Sequence, residues 1–293
     1  MRWAEGFIAV DWGTTNRRAY RINAAGSHTD EFEDAKGVLS IEGNGFPAAV
    51  EEIRDRLGDL PMLLAGMVGS NRGWVEAPYV PCPTGVDGLA RSLVWATERD
   101  AIVPGVSYVG QGRADVMRGE EVQLLGAVAA NMVAPDALVC HPGTHNKWVL
   151  LRRSNIHVFG TVMTGELFSL LKEHSILGDL LQGPVETNAA FRRGVRHAID
   201  RGMLPAALFG VRAEVLLGQA AKEDAPSYTS GLLIGTDVGI GLTWPASAQV
   251  TVMGRPELTR LYAAAINEAG REAIELDGEQ CFLAGANEIA KRM

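Results

Sequence analysis

Six residues near the N-terminus, Asp11-Trp12-Gly13-Thr14-Thr15-Asn16, combine a carboxylate, a turn-forming glycine and two hydroxyls. The apolar run 7–10 precedes them and 19–22 follows, so the order reads strand, tight turn, strand. Such a turn can hold a phosphate through backbone N–H groups and threonine hydroxyls. Asp11 is placed to hold magnesium, which prefers carboxylate, water and phosphate oxygens. An ordinary hairpin accounts for the same residues equally well. The pattern then recurs: Pro142-Gly143-Thr144-His145-Asn146-Lys147 lies between the apolar runs 137–140 and 148–151. Two such hairpins, one opening each half of the chain, would form opposed walls around a phosphate chain. His145 and Lys147 could add charge there, although such residues on a hairpin are usually just solvated.

Other chemistry-bearing residues cluster in loops. Residues 66–83 are too rich in Gly and Pro for regular structure, yet carry Ser70, Arg72, Trp74, Glu76 and Tyr79. Those side chains bind polyhydroxylated ligands, and long loops in compact domains are usually functional or disordered. Asp115 reads as the N-cap of a helix running to about residue 132, a structural role that needs no chemistry. Gly254-Arg255-Pro256-Glu257-Leu258 follows an apolar strand and opens a helix, a turn that could admit a flat base, though a routine strand-to-helix connection fits as well. No Gly-x-x-x-x-Gly-Lys-Ser/Thr loop, His-Glu-x-x-His or Gly-x-Ser-x-Gly occurs, and Asp115 breaks the dinucleotide pattern begun at Gly110 and Gly112.

The elements that must position these residues follow from pattern. Phe46, Val50, Ile53 and Leu57 recur at helical spacing, and 62–66 reads as a buried strand ending at glycine. In the second half, helices are expected over 163–174, 186–201, 204–221 and 259–269, with a terminal helix over 280–291. At 293 residues the chain holds one large domain or two ordinary ones. The restart at 137 favours two, divided as 1–133 and 134–293, with the last helix free to pack back on the first. A net charge of −8 and the absence of a basic run argue against nucleic acid as the main partner. No apolar run has membrane-spanning length. Three scattered cysteines, without Cys-x-x-Cys, indicate neither disulfides nor zinc, and with no secretory signal they fit a reducing cytoplasm.

Taken in order, Asp11–Asn16, Gly66-Met67-Val68-Gly69-Ser70, 73–79, Asp115-Val116-Met117-Arg118-Gly119-Glu120-Glu121, 142–145 and 163–168 resemble the sugar kinase/Hsp70/actin superfamily. Within it they are similar to the 2-dehydro-3-deoxygalactonokinases. The resemblance implies an α/β fold of two ribonuclease H-like lobes with an interlobe ATP cleft. It implies ATP and magnesium, with Asp11 at the metal and Gly13, Thr14, Thr15, Gly143, Thr144, His145, Asn146 and Lys147 on the phosphates. Gly254, Pro256 and Leu258 would take the adenosine. Asn16, Ser70, Trp74, Glu76, Tyr79 and Arg113 would take the sugar acid, with Arg113 at its carboxylate. Asp115 becomes the expected catalytic base, because sugar kinases of the superfamily keep an aspartate at the start of the interlobe helix. Two positions depart from the pattern: Arg17 stands where an apolar residue is expected, and Asn146 where serine is usual. The implied reaction is phosphorylation of 2-dehydro-3-deoxy-D-galactonate at C6. A kinase for another sugar acid and a non-catalytic ATP-dependent switch are the rival readings, and self-association is left open.

Overall fold

A computed structural model describes residues 3–245 and 249–293. In chain order the elements are β1 (Gly6–Trp12), β2 (Arg17–Asn23), β3 (His28–Asp34), α1 (Phe46–Leu57), β4 (Met62–Gly66), β5 (Val80–Pro81), α2 (Val86–Arg91), β6 (Val94–Trp95), β7 (Asp100–Ile102), β8 (Val106–Gly110), β9 (Arg113–Met117) and α3 (Glu120–Ala129). There follow β10 (Ala137–His141), β11 (Asn146–Arg152), β12 (Asn155–Val162), α4 (Thr164–His174), α5 (Ala189–Arg201), α6 (Leu204–Leu216), α7 (Ala225–Gly241), β13 (Gln249–Gly254), α8 (Pro256–Glu268), β14 (Glu272–Asp277) and α9 (Gly278–Lys291). Two compact units result. The first comprises Met1–Pro135, Leu151–Val158 and Gly278–Met293; the second comprises Asp136–Leu150 and Phe159–Asp277.

In the first unit the main sheet has the order β3-β2-β1-β4-β7-β6. β1 pairs antiparallel with β2 and parallel with β4, so it sits inside the sheet. Its sequence suits that place, since every residue but Asp11 is buried. β3 lies at the edge with five exposed polar residues, the usual protection of an unpaired edge. Phe46, Val50, Ile53 and Leu57 of α1 pack into the same core as Ile8, Val10, Trp12 and Leu64. A smaller sheet, β5-β8-β9, lies beside it in the chain. The C-terminal helix α9 packs along α3, and its Asn287 amide donates to the Gly26 carbonyl.

Arg17, one of the two unexpected residues, is completely buried where β2 begins. Its guanidinium meets Asp34 at 3.0 and 3.1 Å and Glu52 at 2.8 Å, and donates to the Ala49 carbonyl at 2.9 Å. Every donor edge is therefore engaged, and Trp12 and Phe32 cover its faces. Burial alone would raise the Asp34 carboxyl, but the Arg17 and Lys36 hydrogen bonds outweigh it and hold it below its usual value. Hydrogen bonds from Lys36 and then Arg17 hold Glu52 down at about 2.

The second unit repeats the order of the first with β12-β11-β10-β13-β14. β10, β13 and β14 run parallel. Beneath the sheet α7 is buried around most of its surface, which explains why its sequence shows small and apolar residues without a stripe. It carries one buried carboxylate, Asp237, with no exposed surface. Asn146 Nδ2 donates to it at 2.9 and 3.0 Å, Trp148 Nε1 at 2.7 Å, Thr164 Oγ1 at 2.5 Å and Tyr262 Oη at 2.6 Å. Burial pushes this carboxyl upward, and the four donors oppose that push.

Two predictions follow from these buried charges. Asp34 and Glu52 are depressed in the fold, so the stability they contribute is present above their ordinary values of 3.8 and 4.5 and is lost as pH falls through their lowered ones, about 2 for Glu52. Arg17→Met should lower unfolding free energy at pH 7 by about 2–3 kcal/mol and flatten that acid limb in urea titrations across the range; an unchanged limb would refute the assignment. Asp237→Leu strands four buried donors and should cost about 3 kcal/mol or more, read as a lower denaturation midpoint. An unaltered midpoint would mean that the network does not hold the second unit.

Candidate active site

The first hairpin forms as its sequence reads, with the turn at residues 13–16. Gly13 N–H is engaged, bonding to the Asn16 carbonyl at 2.9 Å and closing the turn. The backbone N–H groups of Gly37, Val38 and Leu39 bind the carbonyls of Thr15, Gly13 and Thr14. The turn's acceptors are thus tied back, while Thr14 and Thr15 remain exposed. Asn16 donates its amide to Glu33 at 3.3 Å. Asp11 stands one residue before the end of β1, at the carboxyl edge where parallel strands present ligands. Beside it Gly66 ends β4 with φ 92°, and a Cβ there would lie 3.5 Å from Asp11 Oδ1. The same Cβ would stand 2.8 Å from the Trp12 carbonyl oxygen, so glycine lets the ends of β1 and β4 meet closely beside the Asp11 carboxylate. Among the described residues no group of three or more His, Cys, Asp or Glu is arranged around a metal. Magnesium at Asp11 would complete its shell from phosphate and water.

The loop after β4 is ordered by its own backbone. Trp74 N–H reaches the Val68 carbonyl at 2.8 Å and Ala77 N–H the Gly69 carbonyl at 2.9 Å. Trp74 packs on the hydrophobic core and Ser70 is buried, its Oγ accepting Arg72 N–H. These two residues secure the loop. Glu76 and Tyr79 are exposed on it.

Asp115 does not open a helix. Gln111 and Gly112 both have positive φ, 52° and 75°, which makes a two-residue hairpin of the kind that matches strand twist. The chain returns as β9, and Asp115 pairs with Tyr108. It shares a face with Arg113 and with buried Met117, and its Oδ2 lies 3.6 Å from Arg113 Nη1. The Gly-Gln-Gly turn was the available signal for this strand. Glu120 and Glu121 are the carboxylates that begin α3. Glu121 is fully buried and accepts Gly119 N–H on both oxygens, at 2.9 and 2.7 Å. Burial, reinforced by Glu120, pushes it up to about 8. Glu120 is half-buried and accepts Arg118 N–H at 3.0 Å.

In the second unit Gly143, Thr144 and His145 form the outward part of the turn, with Thr144 and His145 exposed. His145 Nε2 meets Glu166 at 2.5 Å, and the Thr144 carbonyl accepts Glu166 N–H at 3.0 Å. Helix α4 abuts this turn so closely that a Cβ on Gly165 would stand 2.6 Å from the Gly143 carbonyl oxygen. Asn146 and Lys147 differ from expectation. Asn146 is fully buried on Asp237, and Lys147, 5% exposed, donates to Thr161 at 2.9 Å. As successive strand residues the two face opposite sides of the sheet, and each finds a partner there, Asp237 for Asn146 and Thr161 for Lys147. Gly143 and Thr144 line a mostly apolar cavity of about 340 Å³, together with Leu258, Leu261, Tyr262, Phe168 and Ile234. Its size suits a small-molecule ring system. Leu258 thus shares a cavity wall with Gly143 and Thr144, whereas Gly254 and Pro256 are not in that wall. Phe168 and Tyr262 were not legible as lining, because their helices face the cavity only after folding.

Comparison with known proteins agrees with this architecture. A model of the family described as 2-keto-3-deoxy-galactonokinase matches residues 11–289. The 2-dehydro-3-deoxygalactonokinase of Escherichia coli (strain K12) is 36% identical over 288 residues, 97% of each chain. A crystal structure from Sinorhizobium meliloti, described under the same name, is 33% identical with TM-score 0.92 and covers 97% of this chain and 98% of that one. The activator of a 2-hydroxyisocaproyl-CoA dehydratase from Clostridium difficile, with bound ADPNP, has TM-score 0.50 at 11% identity, covering 98% and 95%, a likeness of fold alone. Two units sharing one strand order, with these relatives, identify the sugar kinase/Hsp70/actin fold, and the chain belongs to the 2-keto-3-deoxy-galactonokinase family.

Proposed function

We propose that the protein transfers the γ-phosphoryl group of ATP to the C6 hydroxyl of 2-dehydro-3-deoxy-D-galactonate, a step in galactonate breakdown. The family match across nearly the whole chain carries this reading. It also sets aside the non-catalytic switch. The second unit supplies nucleotide binding: adenosine in the cavity against Leu258 and Tyr262, phosphates on Gly143, Thr144 and His145. Asn146 and Lys147 support that turn from beneath. Gly254 and Pro256 shape the strand-to-helix turn that presents Leu258.

The first unit supplies the acceptor, the metal carboxylate and the base. Thr14 and Thr15 offer hydroxyls to phosphate oxygens, and magnesium held at Asp11 would offset their charge. Asn16, Arg113 and, on the loop secured by Ser70 and Trp74, Glu76 and Tyr79 are the sugar-acid contacts. Asp115 takes the proton from the attacking hydroxyl as charge spreads over the transferred group. Its support is access: it is partly open, whereas Glu121 is enclosed and occupied with the Gly119 amide. Glu120 is the second reading for the base, because it stands at the start of α3, where the superfamily's base belongs.

A coupled ADP-release assay over a panel of sugar acids tests the substrate, and activity confined to other acids would overturn it. Asp115→Asn should lower kcat about 10³-fold, with ATP affinity within about twofold by calorimetry. Should Glu120→Gln show that loss while Asp115→Asn turns over, Glu120 is the base.

A further inference from the structure

The first unit buries several guanidinium groups, and they are not treated alike. Arg17 is met by Asp34 and Glu52. Arg54 is met by Asp100 and Glu51. Arg118 is held differently. Its Nη2 donates to the Ala77 carbonyl at 2.7 Å, its guanidinium lies 4.3 Å over the Tyr79 ring, and its Nη1 sits against Gly69. Nε and Nη1 are buried and have no hydrogen-bond partner; the Glu121 carboxylate feels the charge of Arg118 but makes no hydrogen bond to it, its oxygens being taken by the Gly119 amide. Burying a charged donor without an acceptor is costly. Arg118 as a residue is only partly buried, although Nε and Nη1 themselves are enclosed.

Its neighbours belong to the substrate loop. Gly69, Ala77 and Tyr79 bracket residues 70–79, so Arg118 is the cation built into that loop's base. Arg113, the sequence's choice for the substrate carboxylate, already lies 3.6 Å from Asp115 and 4.7 Å over the Tyr108 ring.

We propose that Arg118 is the residue that selects a carboxylate-bearing sugar, its guanidinium receiving the substrate's carboxylate as the missing anion. The inference rests on the sugar-acid kinase reading and deepens it. Arginine suits this task because it stays charged and offers several donors in a plane. Loss of a charge-assisted hydrogen bond of this kind corresponds to about 10- to 100-fold in affinity.

The test compares the acid with its uncharged carboxamide in the full chain. Wild-type protein should favour the acid in kcat/KM. Arg118→Met should lower kcat/KM for the acid about 10- to 100-fold, leave the carboxamide within about threefold, and leave KM for ATP unchanged. Arg118→Lys, which keeps the charge without the planar fork, should recover part of the preference, and it decides the matter if Arg118→Met does not fold. Equal losses on acid and carboxamide, or an unchanged preference, would overturn the assignment to Arg118 alone. The same follows if Arg113→Met, and not Arg118→Met, erases the preference. Wild-type protein inactive on the acid would overturn the kinase reading and this inference together.

Discussion

The first residue of the second strand in each hairpin is polar, buried and completely bonded, and the turns depend on it. Arg17 opens β2 and Asn146 opens β11, and neither has exposed surface. A slip of one residue would carry each to the other face of its sheet. For Arg17 that would abandon two carboxylates and a carbonyl; for Asn146, the Asp237 carboxylate. Register is therefore fixed by an interaction that no neighbouring register can replace. The residues just before, Thr14 and Thr15 in one hairpin and Thr144 and His145 in the other, are left outward in a defined place.

The two units solve the same problem with opposite means. In the first, a buried cation is neutralised by carboxylates that keep some contact with water, so burial is divided among several groups. In the second, one buried carboxylate gathers four donors from β11, α4 and α8. Two of these donors, Thr164 and Tyr262, also line the apolar cavity. The polar network thus forms one corner of an otherwise apolar pocket, and the pocket's shape is tied to the Gly143-Thr144 turn by Asp237.

Legibility in the sequence followed the range of the interactions. Helix α1 and strand β4 were read to their observed ends, because their patterns are local and flanked by glycine. The apolar helix α7 read only as a buried segment, since a helix covered on most sides has no stripe to show. The helix expected at Asp115 failed because a two-residue turn sent the chain back as a strand. Asn146 and Lys147 looked like phosphate ligands from their position beside a Gly-Thr turn. What turns Asn146 inward is a carboxylate 91 residues away, which no local pattern reveals. The turns that expose Thr14, Thr15 and Thr144 needed only local rules.

A chain of net charge −8 that handles two anionic ligands must place attraction locally. Arg17 and Arg54 carry positive charge but have it cancelled by carboxylates in hydrogen-bond contact. They stabilise the fold and offer little field outside it. The two turns accordingly present hydroxyls and backbone dipoles, groups that can bind anions without adding net charge. On the proposed reading a sugar acid brings its own charge to the first unit, where Asp11 near the end of β1, Asp115 in β9 and Glu120 at the start of α3 are further carboxylates. Without a local cation those carboxylates would repel it. An arginine held by a carbonyl and an aromatic ring keeps its charge available, which one bonded to carboxylates cannot do. The manner in which Arg118 is held, more than its presence, makes the first unit suited to an anionic acceptor.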